Sequence, residues 1–220
     1  MLEAKGIEKS YGALKVLKGV DLSVRKGEIV SIVGASGAGK STLLHLLGTL
    51  DSPDRGTVMV NGTNVFQQTP NALAAFRNKH IGFVFQFHNL LPEFSALENV
   101  MIPGFLSGKS DGEVRDRARK LLIDLGLESR LEHKPSELSG GEQQRTACAR
   151  ALMNAPDIVL ADEPSGNLDS ANAKDLHTLF FNLREKMGQT FIIVTHNQDF
   201  ADMADRKLEM KDGVVLGAGR

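Results

Sequence analysis

Cysteine is nearly missing: Cys148 is the only one in 220 residues. No disulfide can form within the chain, which fits a reducing cytosol. Long apolar runs are also missing. A spanning helix needs roughly 18 apolar residues, whereas Ile29–Val33 and Ile158–Ala161 are strand-sized. The opening MLEAKGIEKSYG mixes charges early and holds no apolar core of signal-peptide length. Neither sign of charge dominates: 26 basic and 27 acidic side chains give a net charge of -1, with no general grip on nucleic acid. Low-complexity tracts, like-charge blocks and fixed-period repeats are absent. Work at a membrane is therefore expected to go through a partner, not through direct insertion. What is present, 41% hydrophobic and 24% charged residues, suits one well-buried α/β domain with room for a small appended subdomain.

Strand-like runs come first, at Leu2–Ile7, Val20–Val24 and Ile29–Val33, and a helical signal follows from Ser41 to about Leu50. Gly56–Val60 alternates like a strand and ends at the turn signal Asn61-Gly62. Thr69 before Pro70 marks a helix start, as do Ser95 with Glu98 and Ser110 with Glu113 at capping-box spacing. Gly126 reads as the stop of the helix holding Leu121, Leu122 and Leu125. Strand patterns return at Asp157–Ala161 and Phe191–Val194, each followed by a helical segment, and Asp212-Gly213 turns a last hairpin. Such alternation predicts a mostly parallel sheet with ligands at the carboxyl ends of its strands. The mostly helical middle, from about Phe87 to Ala155, reads as an insertion into it.

Gly34-Ala35-Ser36-Gly37-Ala38-Gly39-Lys40-Ser41 fits the P-loop pattern and follows an apolar strand. Glycines let backbone N–H groups wrap phosphates, and the helix beyond, with Thr42 in its first turn, points its positive end at them. Lys40 can reach the β- and γ-phosphates of ATP, while the Ser41 hydroxyl can ligate Mg²⁺. Ile158–Ala161 ends in Asp162 and Glu163, two carboxylates that repel one another unless a cation is near. Asp162 is expected to hold Mg²⁺, and Glu163 to polarise an attacking water, help worth about 10² to 10⁴ in rate. Alone, the pair reads equally as a strand-to-loop exit. Leu138-Ser139-Gly140-Gly141-Glu142 carries capping-box spacing from Ser139 to Glu142, but a cap does not need two glycines that weaken a helix. Close backbone approach to an anion does need them.

Leu138–Glu142 resembles the signature of ABC ATPases, and the likeness covers essentially the whole chain. It implies an α/β P-loop NTPase of the ABC ATPase fold. A mostly parallel core (1–86 and 155–220) with an antiparallel β subdomain would carry an inserted helical subdomain (87–154). It also implies roles. Tyr11 matches the aromatic that stacks on adenine, though a tyrosine also serves simple packing. Gln86 matches the Q-loop glutamine, a sensor of Mg²⁺ and of the membrane partner and hence a candidate metal contact. Ser165–Asp169 matches the D-loop, and His196 the switch histidine at the γ-phosphate. Lys40, Gln86, Glu163 and His196 are thus the expected catalytic set, and Ser41, Gln86 and Asp162 the metal set. Tyr11, the loop from Gly34 to Thr42, and Ser139, Gly140, Gly141 and Glu142 would hold nucleotide. The last four would act on the ATP of a second copy in a head-to-tail homodimer.

FVFQFHNLLPEFSALENV, Lys134–Glu142 and Leu160–Asp169 look like the lipoprotein-releasing system ATPases, the LolD type. That resemblance implies integral membrane permease partners and a peripheral position on the cytoplasmic face of the bacterial inner membrane. MacB-type exporter cassettes share most of these motifs, and a cell-division ABC ATPase that signals remains a rival. Phe83, Phe85, Phe87, Leu90 and Leu91 either receive a partner helix or fill the helical subdomain. Ser165 stands where the subfamily usually has threonine, and Thr146 and Cys148 replace more typical aliphatics.

Overall fold

The computed structural model describes residues 1–218. An antiparallel sheet is built from β1 (Leu2–Tyr11), β2 (Leu14–Val24), β4 (Arg55–Val60) and β5 (Thr63–Asn64), in the order β2-β1-β4-β5. Between them in sequence, β3 (Ile29–Val33) leaves to join a second sheet with β6 (Ile81–Phe85), β7 (Ile158–Asp162), β8 (Thr190–Val194), β9 (Arg206–Lys211) and β10 (Val214–Ala218). The order there is β10-β9-β3-β8-β7-β6, parallel throughout except for β10. Asp212 and Gly213 link β9 to β10 with φ of 48° and 82°, the left-handed pair a two-residue hairpin turn favours.

Residues alternate in this core sheet because side chains alternate across a strand. Phe191 and Ile193 of β8 face one apolar cluster, and Ile192 and Val194 face the other. Both faces are covered, so β8 is buried along its length and apolar from Phe191 to Val194. One cluster lies under the antiparallel sheet and α1 (Lys40–Leu47). Across the core sheet, the second takes in α3 (Ala96–Leu106), α4 (Asp111–Asp124), α5 (Gly140–Leu152) and α6 (Ser170–Met187). Two further α-helices complete the set, α2 (Pro70–His80) and the short α7 (Gln198–Met203).

The start signals hold. Ser95 with Glu98 and Ser110 with Glu113 form reciprocal capping boxes on α3 and α4, and Thr69 caps α2 with Pro70 in its first turn. Gly126 takes φ 75° just beyond α4. Two features depart from the sequence reading. β6 forms a strand where none was anticipated, its Ile81 and Val84 buried against β7. The first two strands also run longer than their apolar cores, because they pair as one bulged hairpin.

Register is what positions the site. Phe85, Asp162, Val194 and Ile32 are cross-strand partners in one row. Gln86, Glu163, Thr195 and the phosphate loop therefore leave adjacent strands, each about 4.8 Å apart, at a common carboxyl edge.

Candidate active site

The phosphate loop packs onto the end of β9. Gly34 has φ 154°, and a Cβ there would lie 2.1 Å from the Met210 carbonyl oxygen, so no side chain fits. Ala35, Ser36 and Gly37 form the exposed apex, closed by the Ala38 amide donating to the Ala35 carbonyl at 3.2 Å. Gly39 opens α1, and Ser41 and Thr42 occupy its first turn. Lys40 is buried, its ammonium donating to the Gly34 and Ala35 carbonyls at 3.0 Å each. The cation is thus held over the mouth of the loop.

Across from it, the Ser41 hydroxyl donates to Asp162 Oδ1 at 3.1 Å. This joins the first helix to the acidic pair, residues 121 apart in sequence. Glu163 follows with φ 46°, strained for a non-glycine residue and fastened by its amide to the Val194 carbonyl at 2.9 Å. Its Oε2 accepts the His196 amide at 3.0 Å. His196 Nε2 is 3.2 Å from Glu163 Oε1 without forming a hydrogen bond, and Oε1 is buried without a partner. Burial pushes the Glu163 carboxyl above its ordinary pKa. The His196 amide, the His196 ring and Lys40 oppose this rise, and Asp162 adds to it. Such a carboxylate is a poised proton acceptor.

Ser41 and Asp162 suit a divalent cation that takes few protein ligands and completes its shell with phosphate oxygens and water, as Mg²⁺ does. The Glu163 carboxylate keeps one oxygen without a hydrogen-bond partner, so a lone pair is left to accept a proton.

The other expected residues fall into two groups. Tyr11 stands at the end of β1 with its ring half exposed, held by its hydroxyl donating to Asp51 Oδ2 at 2.7 Å. That geometry leaves a ring face for a base. Gln86 joins the D-loop: its Nε2 donates to Asn167 Oδ1 at 2.9 Å, and Asn167 Nδ2 returns a bond to the Gln86 carbonyl at 3.2 Å. The signature residues lie apart. Among the described residues, no hydrogen bond or ion pair joins Ser139–Glu142 to the phosphate loop.

At the start of α5, Ser139 and Glu142 do form a capping box, with the Ser139 amide donating to Glu142 Oε2 at 2.8 Å. Arg130 Nε donates to the other oxygen at 2.8 Å. The Ser139 amide first, then Arg130, hold the Glu142 pKa down to about 2. Capping and anion approach are therefore compatible uses of one helix end. Gly140 is exposed, whereas Gly141 is buried against Asn172 in α6.

Several residues that shape the site carry no motif. Asn99, fully buried, donates to the Leu91, Phe94 and Ser95 carbonyls and accepts the Leu91 amide, pinning the segment after Gln86. Arg150 donates to the His88 and Asn89 carbonyls, both at residues of positive φ. Thr146 is explained by its hydroxyl donating to the Glu142 carbonyl at 2.8 Å. Cys148 is a core residue, its thiol pushed up to about 12 by burial.

Beside Gln86 lies a cleft of about 530 Å³ lined by Leu50, Phe83, Phe85, Pro103, Leu106 and Arg150 among others. Phe87, Leu91 and Phe94 are exposed nearby in sequence, and Leu90 is half-buried. Phe83 both lines this cleft and packs against the cluster under the antiparallel sheet, not that of the helical segment.

Residues 17–166 match the model of the ABC transporter family. The lipoprotein-releasing system ATP-binding protein LolD of Bacteroides thetaiotaomicron is 60% identical over 98% of this chain and 99% of its own length. Its namesake from Porphyromonas gingivalis is 58% identical over 98% and 99%. Among solved structures, the ATP-binding cassette MJ0796, a dimer in a post-hydrolysis state bound to ADP and Pi, superposes with a TM-score of 0.91 at 40% identity. That match covers 100% of this chain and 98% of the other. The chain belongs to the ABC transporter family, among the ATP-binding proteins of the lipoprotein-releasing kind.

Proposed function

We propose that this chain hydrolyses ATP in a head-to-tail dimer and drives a membrane permease that releases lipoproteins from the bacterial inner membrane. The observation that carries the reading is the convergence of Lys40, Ser41, Asp162, Glu163 and His196 at one sheet edge. Lys40 and the loop amides hold the phosphates, and Tyr11 stacks on the base. Ser41, Asp162 and the Oε1 of Gln86 would hold Mg²⁺, which when bound neutralises charge building on the transferring phosphoryl group. Glu163 takes the proton of the attacking water, and His196 contacts the γ-phosphate.

Ser139–Glu142 complete the site from a partner protomer. Supporting this are their separation from Lys40 within one chain and the dimeric state of the cassette MJ0796. Residues 87–154 act as a helical subdomain on the catalytic core. Permease docking is assigned to the cleft by Phe85 and Leu106, next to Gln86, so that the partner and the metal site share one glutamine. A peripheral seat on the cytoplasmic face follows from such docking; no described helix is long and apolar enough to cross a membrane. The LolD relatives support lipoprotein as the cargo.

Reconstitution tests this. Vesicles holding the permease, a lipoprotein and this chain are expected to release the lipoprotein only with ATP and Mg²⁺. Equal release by chain carrying Glu163→Gln would overturn the reading.

A further inference from the structure

The segment from Glu163 to Asp169 is the junction of the site, touching β8 through Glu163 and the Q-loop through Asn167. Within it the Ser165 side chain, half-buried, shares a hydrogen bond of 3.1 Å with Nε2 of His177, two turns into α6. His177 is 8% exposed, and its ring lies flat on Phe200 with centroids 4.0 Å apart and planes 20° from parallel. Phe200 belongs to α7, whose cap is Asn197, the residue after His196; the Phe200 amide donates to Asn197 Oδ1 at 2.8 Å. Burial lowers the His177 pKa, so the ring is neutral near pH 7. A cavity of about 650 Å³ lies between the two segments, lined by Glu163, Ser165, His177, His196 and Phe200 among others. The segments are therefore not packed on each other along their length, and a few side chains must span the gap.

We propose that His177 is a positioning residue for hydrolysis, tying the segment that carries Glu163 to the segment that carries His196 through its Ser165 hydrogen bond and its Phe200 stack. Its ring reaches Ser165 and Phe200 and not the phosphate loop. Glu163, whose backbone is strained at φ 46°, meets His196 directly by accepting its amide at 3.0 Å. A carboxylate whose base function depends on a few tenths of an ångström needs its loop fixed from a second side. His177 supplies that side from the rigid face of α6. The inference rests on the proposed hydrolytic role of Glu163.

Four variants of the full chain test it, with ATP turnover, ATP affinity and thermal melting measured for each. His177→Phe keeps a ring on Phe200 and removes the nitrogen. Ser165→Ala removes the hydroxyl, and the double variant removes both. One neutral hydrogen bond corresponds to about twofold to tenfold in kcat. Each single variant is expected to show that loss and the double no more than either, with KM within about twofold. Ser165→Thr, which restores a hydroxyl, is expected to keep the wild-type kcat. Unchanged kcat in Ser165→Ala, or losses that multiply in the double variant, would overturn the proposal. If His177→Phe does not fold, Ser165→Ala and Ser165→Thr alone decide it. A wild-type chain without any ATP turnover contradicts the hydrolytic reading itself, a separate outcome.

Discussion

Asn172, in the first turn of α6, fills the space beside Gly141 in α5: a Cβ on Gly141 would lie 2.4 Å from the Asn172 side-chain oxygen. Alanine is favoured over glycine inside a helix by about 1 kcal/mol, yet overpacking of this kind costs about 1–3 kcal/mol. Gly141→Ala is expected to melt earlier than wild type. Adding Asn172→Ala is expected to restore melting but not ATP turnover, because α5 then loses the Asn172 contact that seats its first turn. Full recovery of turnover in the double variant would mean that Gly141 serves only packing.

Lys40 donates to two loop carbonyls and is held at the mouth of the loop. A hydrogen bond to a charged group contributes about 1.5–3 kcal/mol, so Lys40→Ala is expected to weaken ATP binding by at least about tenfold. Titration with a fluorescent ATP analogue reads this, and wild-type affinity would remove Lys40 from the phosphate site.

Burial raises the Glu163 carboxyl above its ordinary value of 4.5. The deprotonated form is the base, so kcat/KM is expected to rise with pH through a limb centred above 4.5. An acid limb at or below that value, in chain shown to be folded by circular dichroism, would contradict the assignment.

Glu142 titrates at about 2 when folded against an ordinary 4.5. A depressed carboxylate stabilises the fold above its unfolded value, and that contribution is lost as pH falls towards the folded one. Glu142→Gln is expected to be less stable than wild type by about 1–3 kcal/mol at pH 7, with the gap closing between pH 4.5 and about 2. Melting followed across that range checks the sign.

Leu106 is exposed in the cleft beside Gln86, and Phe94 is exposed nearby in the chain. Phe94→Ala and Leu106→Ala are expected to cut permease recovery in a pull-down while leaving ATP affinity unchanged. Undiminished recovery in both would move the docking surface elsewhere.

Much of the site was legible because its chemistry sits in short windows. Gly34–Ser41, Ile158–Glu163 and Leu138–Glu142 each combine a strand or helix signal with the groups a nucleotide needs, and the capping boxes of α3 and α4 read from three-residue spacings. What escaped is non-local. β6 is too short and too glycine-broken to announce itself, and its place beside β7 depends on residues 77 positions away, as His80 with Asp157 illustrates. Asn99, Asn172 and His177 look like ordinary helix residues; only the packed fold shows that Asn99 and His177 hold loops of the site and that Asn172 packs on Gly141. Gln86 donates through its Nε2 to Asn167, a contact between the two loops that neither segment announces.

Head-to-tail closure around ATP is tested most directly by sizing Glu163→Gln with and without ATP. A monomer without nucleotide that becomes a dimer with ATP, and returns to monomer with ADP, is the expected result. A monomer in all three conditions, with ATP shown to be bound, would contradict it.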